Sequence, residues 1–377
     1  MSILIFILFF SIFLVFYAYF GYPLTLLLLR YIKGRNHSRD KISLPVTLII
    51  TVFNEENRIR EKLENTLQLA YSGGTLEVLV ASDGSTDATN RIVAEFADRG
   101  IGLLDITPRS GKENAQKVAV RHANGEILVF SDVATRLDSN AIQEIVANFA
   151  DPSVGCVSSE DRLLGQDGQP SGEGLYVRYE MWLRRLESSV NSLVGLSGSF
   201  FAARKEVCRD FSGDVQSDFR TLLSSIKLGL RGVSDPAAIG YYLDVANGKH
   251  ELERKVRTVV RGITVFFGHL EFLNPFRYGL FAYQFFCHKL LRWLVPFFLI
   301  SALVANVCLA FNSLFFQLLL LGQLLFYGLG ILGWKTQKLR GLLKTPTFFL
   351  IVNAAIFIAW IKYLKGERIV LWTPSQR

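Results

Sequence analysis

The sequence predicts an α/β domain with a mostly parallel sheet, carried between N-terminal and C-terminal transmembrane helices. Three observations predict it. From Pro45 onward, short β-branched runs alternate four times with helix-forming ones, as in a sheet whose strands are joined by helical crossovers. Charged residues are absent from 2–29, 293–334 and 345–361, runs of 28, 42 and 17 residues. The 377-residue chain is 50% hydrophobic and 20% charged, with a formal charge of +8, whereas an average globular chain is about 25% charged. Its mean hydropathy of +0.29 therefore averages two populations, and the residues outside the apolar runs suffice for one sizeable soluble domain. Disorder and collagen-like repetition are excluded. The four cysteines, Cys156, Cys208, Cys287 and Cys308, lack the spacing of a metal cluster or a disulfide scaffold.

A bilayer core takes about 20 apolar residues in a helix. Segment 2–29 therefore crosses once. Lacking a basic leader and a small-x-small cleavage site, it reads as a retained anchor. The basic linker 30–44 follows with Arg30, Lys33, Arg35, Arg39 and Lys41, which places the next domain in the cytoplasm of a multi-pass protein of the cell inner membrane. Segment 266–292 mixes Phe and Tyr with His269, Arg277, His288 and Lys289, as an interfacial amphipathic segment would. The 42-residue run is twice the length of one crossing, and Phe311-Asn312-Ser313 divides it into spans 293–312 and 313–334. Segment 345–362, bordered by Lys344 and Lys362, is transmembrane or re-entrant, and a basic tail occupies 363–377. A fourth crossing leaves Lys365, Arg368 and Arg377 outside, against the charge rule that the loop with Lys335, Lys338 and Arg340 obeys. Much of the positive excess thus lies beside the membrane, where anionic membrane lipids are the natural partner and no nucleic acid is expected.

The domain 45–265 begins with a strand over 46–53 and a helix over 55–70. It continues with strand 77–82, helix 87–98, strand 101–106, helix 112–123, strand 127–131 and helix 140–150. Ligands of such sheets sit beyond the carboxyl ends of the strands. Those ends are Asn54-Glu55, Asp83-Gly84-Ser85-Thr86-Asp87 and Asp132. Turns and helix caps favour the same residue types, but three such ends on one sheet edge favour a ligand site. In the helix 173–187, Leu175, Tyr179, Trp182, Leu183 and Leu186 form a core-packing stripe. Asp218, ahead of a helix over 219–228, is placed as an N-cap or as a base.

The segments IITVFNEENRI, EVLVASDGSTDAT, GKENAQKVAVRHANGEILVFSD, GLSGSFFAAR and SDF together resemble glycosyltransferase family 2. These are inverting enzymes of the GT-A nucleotide-diphospho-sugar transferase fold. The similarity spans about 44–261 and is to the membrane-bound branch that includes hyaluronan and cellulose synthases and bacterial exopolysaccharide enzymes. It implies a hexosyltransferase-type enzyme moving a sugar from a nucleotide sugar, UDP-linked, to a lipid-linked or polysaccharide hydroxyl, within a polysaccharide-assembly complex. By the resemblance, Thr51, Phe53, Glu55 and Asp83 hold the nucleotide, and Lys112 stands near the diphosphate. Asp132 is the first acid of a DxD element that carries Mg²⁺ or Mn²⁺, although the triplet here is Asp132-Val133-Ala134. Gly195, Leu196, Ser197 and Gly198 form the loop under the sugar and acceptor. Asp218 is the catalytic base, with Ser217 in place of the first acid of the usual pair. Arg254 and Arg257 stand where processive relatives carry QxxRW and face the diphosphate, while Thr258 replaces the Trp that stacks on a growing polymer. The alternatives are a catalytically weakened GT-A-like membrane subunit and a nucleotidyltransferase. The latter wants a Gly-rich basic loop after the first strand, where this chain has Phe53-Asn54-Glu55-Glu56.

Overall fold

The computed structural model describes residues 1–164, 175–213, 216–243, 248–336 and 344–368. The chain forms two compact units, one of Met1–Thr25 with Asn247–Arg368 and one whose body is Leu26–Ala246. The first carries 15 Lys and Arg against 4 Glu, and the stretch Leu26–Ala246 carries 25 Lys and Arg against 29 Asp and Glu, with Arg377 the remaining cation.

The second unit is built on one eight-stranded sheet. Its strands are β1 (Val46–Val52), β2 (Leu76–Ser82), β3 (Ile101–Asp105), β4 (Ile127–Asp132), β5 (Arg136–Leu137), β6 (Val154–Leu164), β7 (Phe200–Arg204) and β8 (Arg231–Leu243). The order is β3-β2-β1-β4-β7-β6-β8-β5, and β1, β2, β3 and β4 run parallel. β7 is antiparallel to both β4 and β6, and β8 is parallel to β6. All of β1 is buried, because a central parallel strand is covered on both faces and its VTLIITV sequence has no solvent side to serve. Its residues alternate between two cores. Val46, Leu48, Ile50 and Val52 pack with Ile59, Leu63 and Val129, whereas Ile49 packs with Ala81, Leu128 and Phe130. Phe130 stacks on Phe201 of β7 at 4.6 Å, a contact of about 0.5–1.5 kcal/mol beyond its area.

The crossover helices are shorter than expected. Helix 55–70 is reduced to Ile59–Leu67, because Asn54 takes a φ of 51° and Glu55 closes a turn onto the Arg58 amide before the helix begins. Helix 87–98 becomes Thr89–Ala94 and a 3₁₀ turn, Ala97–Arg99, ended by left-handed Gly100. Helix 140–150 becomes Ala141–Ala147 with a 3₁₀ turn at Asn148–Ala150. Lys112–His122 holds its expected start. The helix expected over 173–187 runs Leu175–Val190, with Glu173 outside the described residues. The helix placed at 219–228 runs Ser217–Lys227, so Gln216 is the cap and Asp218 lies inside the first turn.

The first unit holds the helix Gly248–Phe267 and helices long and apolar enough to cross a bilayer: Ser2–Lys33, whose last residues count with the second unit, Leu280–Leu309, Leu314–Thr336 and Thr345–Leu364. Residues 268–279 form a 3₁₀ turn at Leu270–Leu273 and a short helix Pro275–Tyr278, whose Phe276 amide donates to the Asn274 side chain at 2.9 Å. The second span therefore begins at Leu280, ahead of the expected 293. Leu8 packs with Ala302, Ala305 and Leu309, and Ala18 with Leu291 and Val295, so these two helices are antiparallel. Both contain a π-helical turn, at Tyr17–Gly21 and Phe286–Leu291. The Tyr17 and Tyr283 hydroxyls meet at 2.8 Å, and Trp360 Nε1 donates to the Trp293 carbonyl at 2.9 Å. In the linker, Arg39 lies 2.6 Å from Glu144 and 3.0 Å from buried Asp235, so the second unit's own acids satisfy this cation.

Candidate active site

β1, β2 and β4 end side by side, with Thr51 in register with Ala81 and Asp132. Thr51 is buried, and its hydroxyl has no hydrogen-bond partner among the described residues. Beyond it the chain is stitched to the loop after β2. Asn54 Oδ1 accepts from the Thr86 amide at 2.8 Å, the Glu55 amide donates to Thr89 Oγ1 at 2.8 Å, and the Glu56 amide donates to Asp87 at 3.1 Å. Asp87 and Thr89 thus serve the loop. The buried Glu55 carboxylate is gripped by Arg58 at 2.8 and 3.1 Å. Burial raises its carboxyl above the usual range, with Arg58 opposing.

Asp83 is fully buried at the end of β2. Its carboxylate accepts from the Ser110 amide at 2.8 Å and from the Gly111 amide at 2.9 and 3.0 Å, with Arg109 Nε 3.7 Å away. The Arg109 guanidinium also lies 3.6 Å over the Phe53 ring, which joins the ends of β1 and β2 through one loop. Gly84 takes a φ of 66°, and a Cβ there would stand 3.1 Å from the Arg109 backbone, so glycine is required.

Asp132 ends β4 and is paired with Lys112 Nζ at 2.5 Å, while the same ammonium donates to the Gly198 carbonyl at 3.3 Å. The Asp132 amide donates to the Ser199 carbonyl at 3.0 Å. Asp218 joins from the other side of this loop. A Cβ on Gly198 would fall 2.9 Å from Asp218 Oδ2, so only glycine lets the two approach. Half-buried Asp218 accepts from the Phe219 amide at 2.9 Å and from Gln216 Nε2 at 3.2 Å. Asp132, Lys112, Gly198 and Asp218 therefore form one contiguous line.

Two residues of this site lie outside the sequence expectations. Lys62, buried on the helix Ile59–Leu67, donates to Ser131 Oγ at 2.7 Å and to the Thr135 carbonyl at 2.5 Å, bracketing the Asp132 turn. Burial lowers its pKa from 10.5 to about 7, with Asp132 opposing. Its signal was a lysine in the apolar register between Ile59 and Leu63. Asp161, in β6, takes the hydroxyls of Ser197 and Ser199. Arg254 and Arg257 lie on the helix Gly248–Phe267 of the first unit. They share a face with Arg261, and burial together with Arg261 and Arg254 pushes the Arg257 pKa below its ordinary value.

Among the described residues, no three His, Cys, Asp or Glu side chains converge as a metal cage. A hard divalent ion can nevertheless be held by one carboxylate with phosphate oxygens and water. Asp132, its side chain 29% exposed, is the acid that fits this donor set.

A curled, mostly parallel sheet with acids at three adjacent strand ends and a glycine loop against a fourth defines a GT-A nucleotide-sugar transferase fold. Residues 47–211 match the model of the family described as Glycosyl transferase family 2. Over 193 residues the chain is 24% identical to a poly-beta-1,6-N-acetyl-D-glucosamine synthase of Staphylococcus aureus (strain MSSA476), covering 50% of this chain and 46% of that protein. The Staphylococcus epidermidis protein of the same name is 25% identical over 170 residues, covering 44% and 40%. The chain thus spans less than half the length of these relatives. Among solved structures, the mannosyltransferase PcManGT from Pyrobaculum calidifontis, in complex with GDP-Man and Mn²⁺, shares the fold. Its TM-score is 0.75 at 24% identity, over 95% of this chain and 99% of that one.

Proposed function

We propose that this protein is a membrane-anchored inverting glycosyltransferase that moves a sugar from a nucleoside-diphosphate donor, UDP-linked, to a hydroxyl of a polysaccharide or lipid-linked acceptor. The observation that carries this reading is the line from Asp132 through Lys112 and Gly198 to Asp218. A cation and a carboxylate on either side of one glycine loop support the reading of Lys112 as a diphosphate contact and Asp218 as the base. Asp218 removes the proton from the acceptor hydroxyl as that oxygen attacks the anomeric carbon. The bond from that carbon to the diphosphate breaks, the nucleoside diphosphate leaves from the opposite face, and the configuration inverts. Lys112 faces the leaving diphosphate, where a fixed cation stabilises charge that grows in the transition state. Thr51, Phe53, Glu55 and Asp83 line the nucleotide end, with Asp83 ordering the loop that carries Arg109. A divalent cation, Mg²⁺ or Mn²⁺, held by Asp132, would neutralise further diphosphate charge. The staphylococcal relatives make N-acetylglucosamine the first donor sugar to try. The transfer takes place on the cytoplasmic side of the inner membrane.

The test is a donor panel of UDP-N-acetylglucosamine, UDP-glucose and GDP-mannose, supplied to membranes containing the protein and scored by nucleoside diphosphate release. Asp218→Asn is expected to abolish release while donor binding survives, and wild-type turnover by that variant would sink the base assignment. Release indifferent to EDTA would remove the cation. Ala134 and Ser217, each standing where the resembling family has an acid, favour a second reading as a weakened subunit; it predicts donor binding with no release across the panel.

A further inference from the structure

We propose that Asp161 is a positioning residue for the transfer reaction, fixing the Ser197–Gly198–Ser199 segment and through it the mutual placement of Asp132, Lys112 and Asp218. This rests on the reading of Asp218 as the base. Asp161 lies in β6, nearly buried, and its carboxylate gathers hydroxyls. Ser197 Oγ stands 2.7 and 2.8 Å from its two oxygens, and Ser199 Oγ 3.1 Å from Oδ1. Ser159 Oγ, 3.3 Å from Oδ1, donates to the Phe200 carbonyl at 2.6 Å. Arg184 Nη1, 3.9 Å from Oδ2, offsets the charge. With these groups around both oxygens the carboxylate is committed to the protein, so its influence on the reaction runs through the loop.

The loop is where the site's parts meet. The Ser199 carbonyl accepts from the Asp132 amide, the Gly198 carbonyl accepts from Lys112, and a Cβ on Gly198 would stand 2.9 Å from Asp218 Oδ2. The two serines flank Gly198 and are held by one carboxylate, while the Ser197 amide donates to Ser158 Oγ at 2.8 Å. Hydrogen bonds to an ionised acceptor are roughly twice as strong as neutral ones. Without that charge, Gly198 can drift from Asp218 and the base loses its aim.

The experiment uses the full chain in detergent and whichever of UDP-N-acetylglucosamine, UDP-glucose and GDP-mannose gives the largest release. Asp161→Asn keeps the shape of the side chain and removes its charge. The expected result is a kcat about 10–100-fold lower with donor KM changed less than about threefold, since misplacement by about 1 Å can cost two orders of magnitude. Ser199→Ala should lower kcat in the same sense, and Ser199→Thr, which keeps the hydroxyl, should restore it. A kcat for Asp161→Asn within twofold of wild type overturns the proposal, and so does a raised donor KM at unchanged kcat, which would put Asp161 on the donor. If Asp161→Asn does not fold, equal kcat values for Ser199→Ala and Ser199→Thr overturn it. Asp218→Asn is run alongside. If it alone retains turnover the base reading fails, whereas if it is dead and Asp161→Asn is unaffected only the positioning role fails.

Discussion

A lysine ammonium cut off from water is costly to keep charged, and Lys62 meets that cost with Ser131 and Thr135 on either side of the Asp132 turn. Its pKa of about 7 in the folded chain, against 10.5 ordinarily, means that the unfolded chain binds the extra proton between those values. Stability therefore rises with pH from about 7 toward 10.5, and the penalty for charging Lys62 is full below that window. Lys62→Met should flatten this rise in thermal unfolding midpoints and, above about pH 10.5 where Lys62 is neutral in both states, lower stability by about 1–3 kcal/mol through the unpaired Thr135 carbonyl. Gly198→Ala has a different signature. Its methyl would push aside the Asp218 carboxylate, which sits at the end of a side chain and can yield. The variant should fold and bind donor but turn over about 10²-fold more slowly. At this scale Asp83 and Asp132 stand out in the sequence because polar residues at strand ends break an apolar pattern, whereas Lys112 and the choice of base over cap at Asp218 come from the family resemblance. Lys62 and Asp161 do not stand out, since both lie inside regular elements. The partners that give them meaning are dozens of residues away, on β4 and in the loop before β7.

Whole elements were legible where one physical signal dominated. The seven buried residues of β1 are five aliphatic side chains and two threonines, and the polar break at 311–313 lies between the helices Leu280–Leu309 and Leu314–Thr336. Helix ends were read too long, because turns such as Glu55 to Arg58 are fixed by contacts with a neighbouring strand's loop. The start of the second span was missed for a related reason. His288, Lys289 and Arg292 look like an interfacial border, but the helix accommodates them internally. Arg292 lies 5.3 Å over the Tyr19 ring and 3.4 Å from His288 Nε2. The first two spans are further joined by the Tyr17 to Tyr283 hydroxyl contact at the paired π-helical turns. Tyr283→Phe should lower the detergent unfolding transition by an amount corresponding to about 0.6 kcal/mol, the usual size of such a bond between membrane helices.

For the whole molecule, the last apolar segment decides the topology. Lys344–Leu364 is one uninterrupted helix of 21 residues, about 30 Å at 1.5 Å per residue, which is the thickness of the hydrocarbon core. A helix of that length is long enough to cross without turning back, and a full crossing is the expected outcome of labelling from the two sides. Single cysteines at Lys335 and Glu367 should react with an impermeant maleimide from opposite faces of sealed vesicles. Labelling of both from one face would show that the segment does not cross. The net charge of +8 is likewise a property of neither unit: the membrane unit has 15 cations against 4 acids, and Leu26–Ala246 has 25 against 29. The whole-chain isoelectric point of about 9.3 thus describes no separate part of it. A fragment cut out between the first span and the Gly248 helix would be retained by an anion exchanger at neutral pH, where the intact protein calls for a cation exchanger.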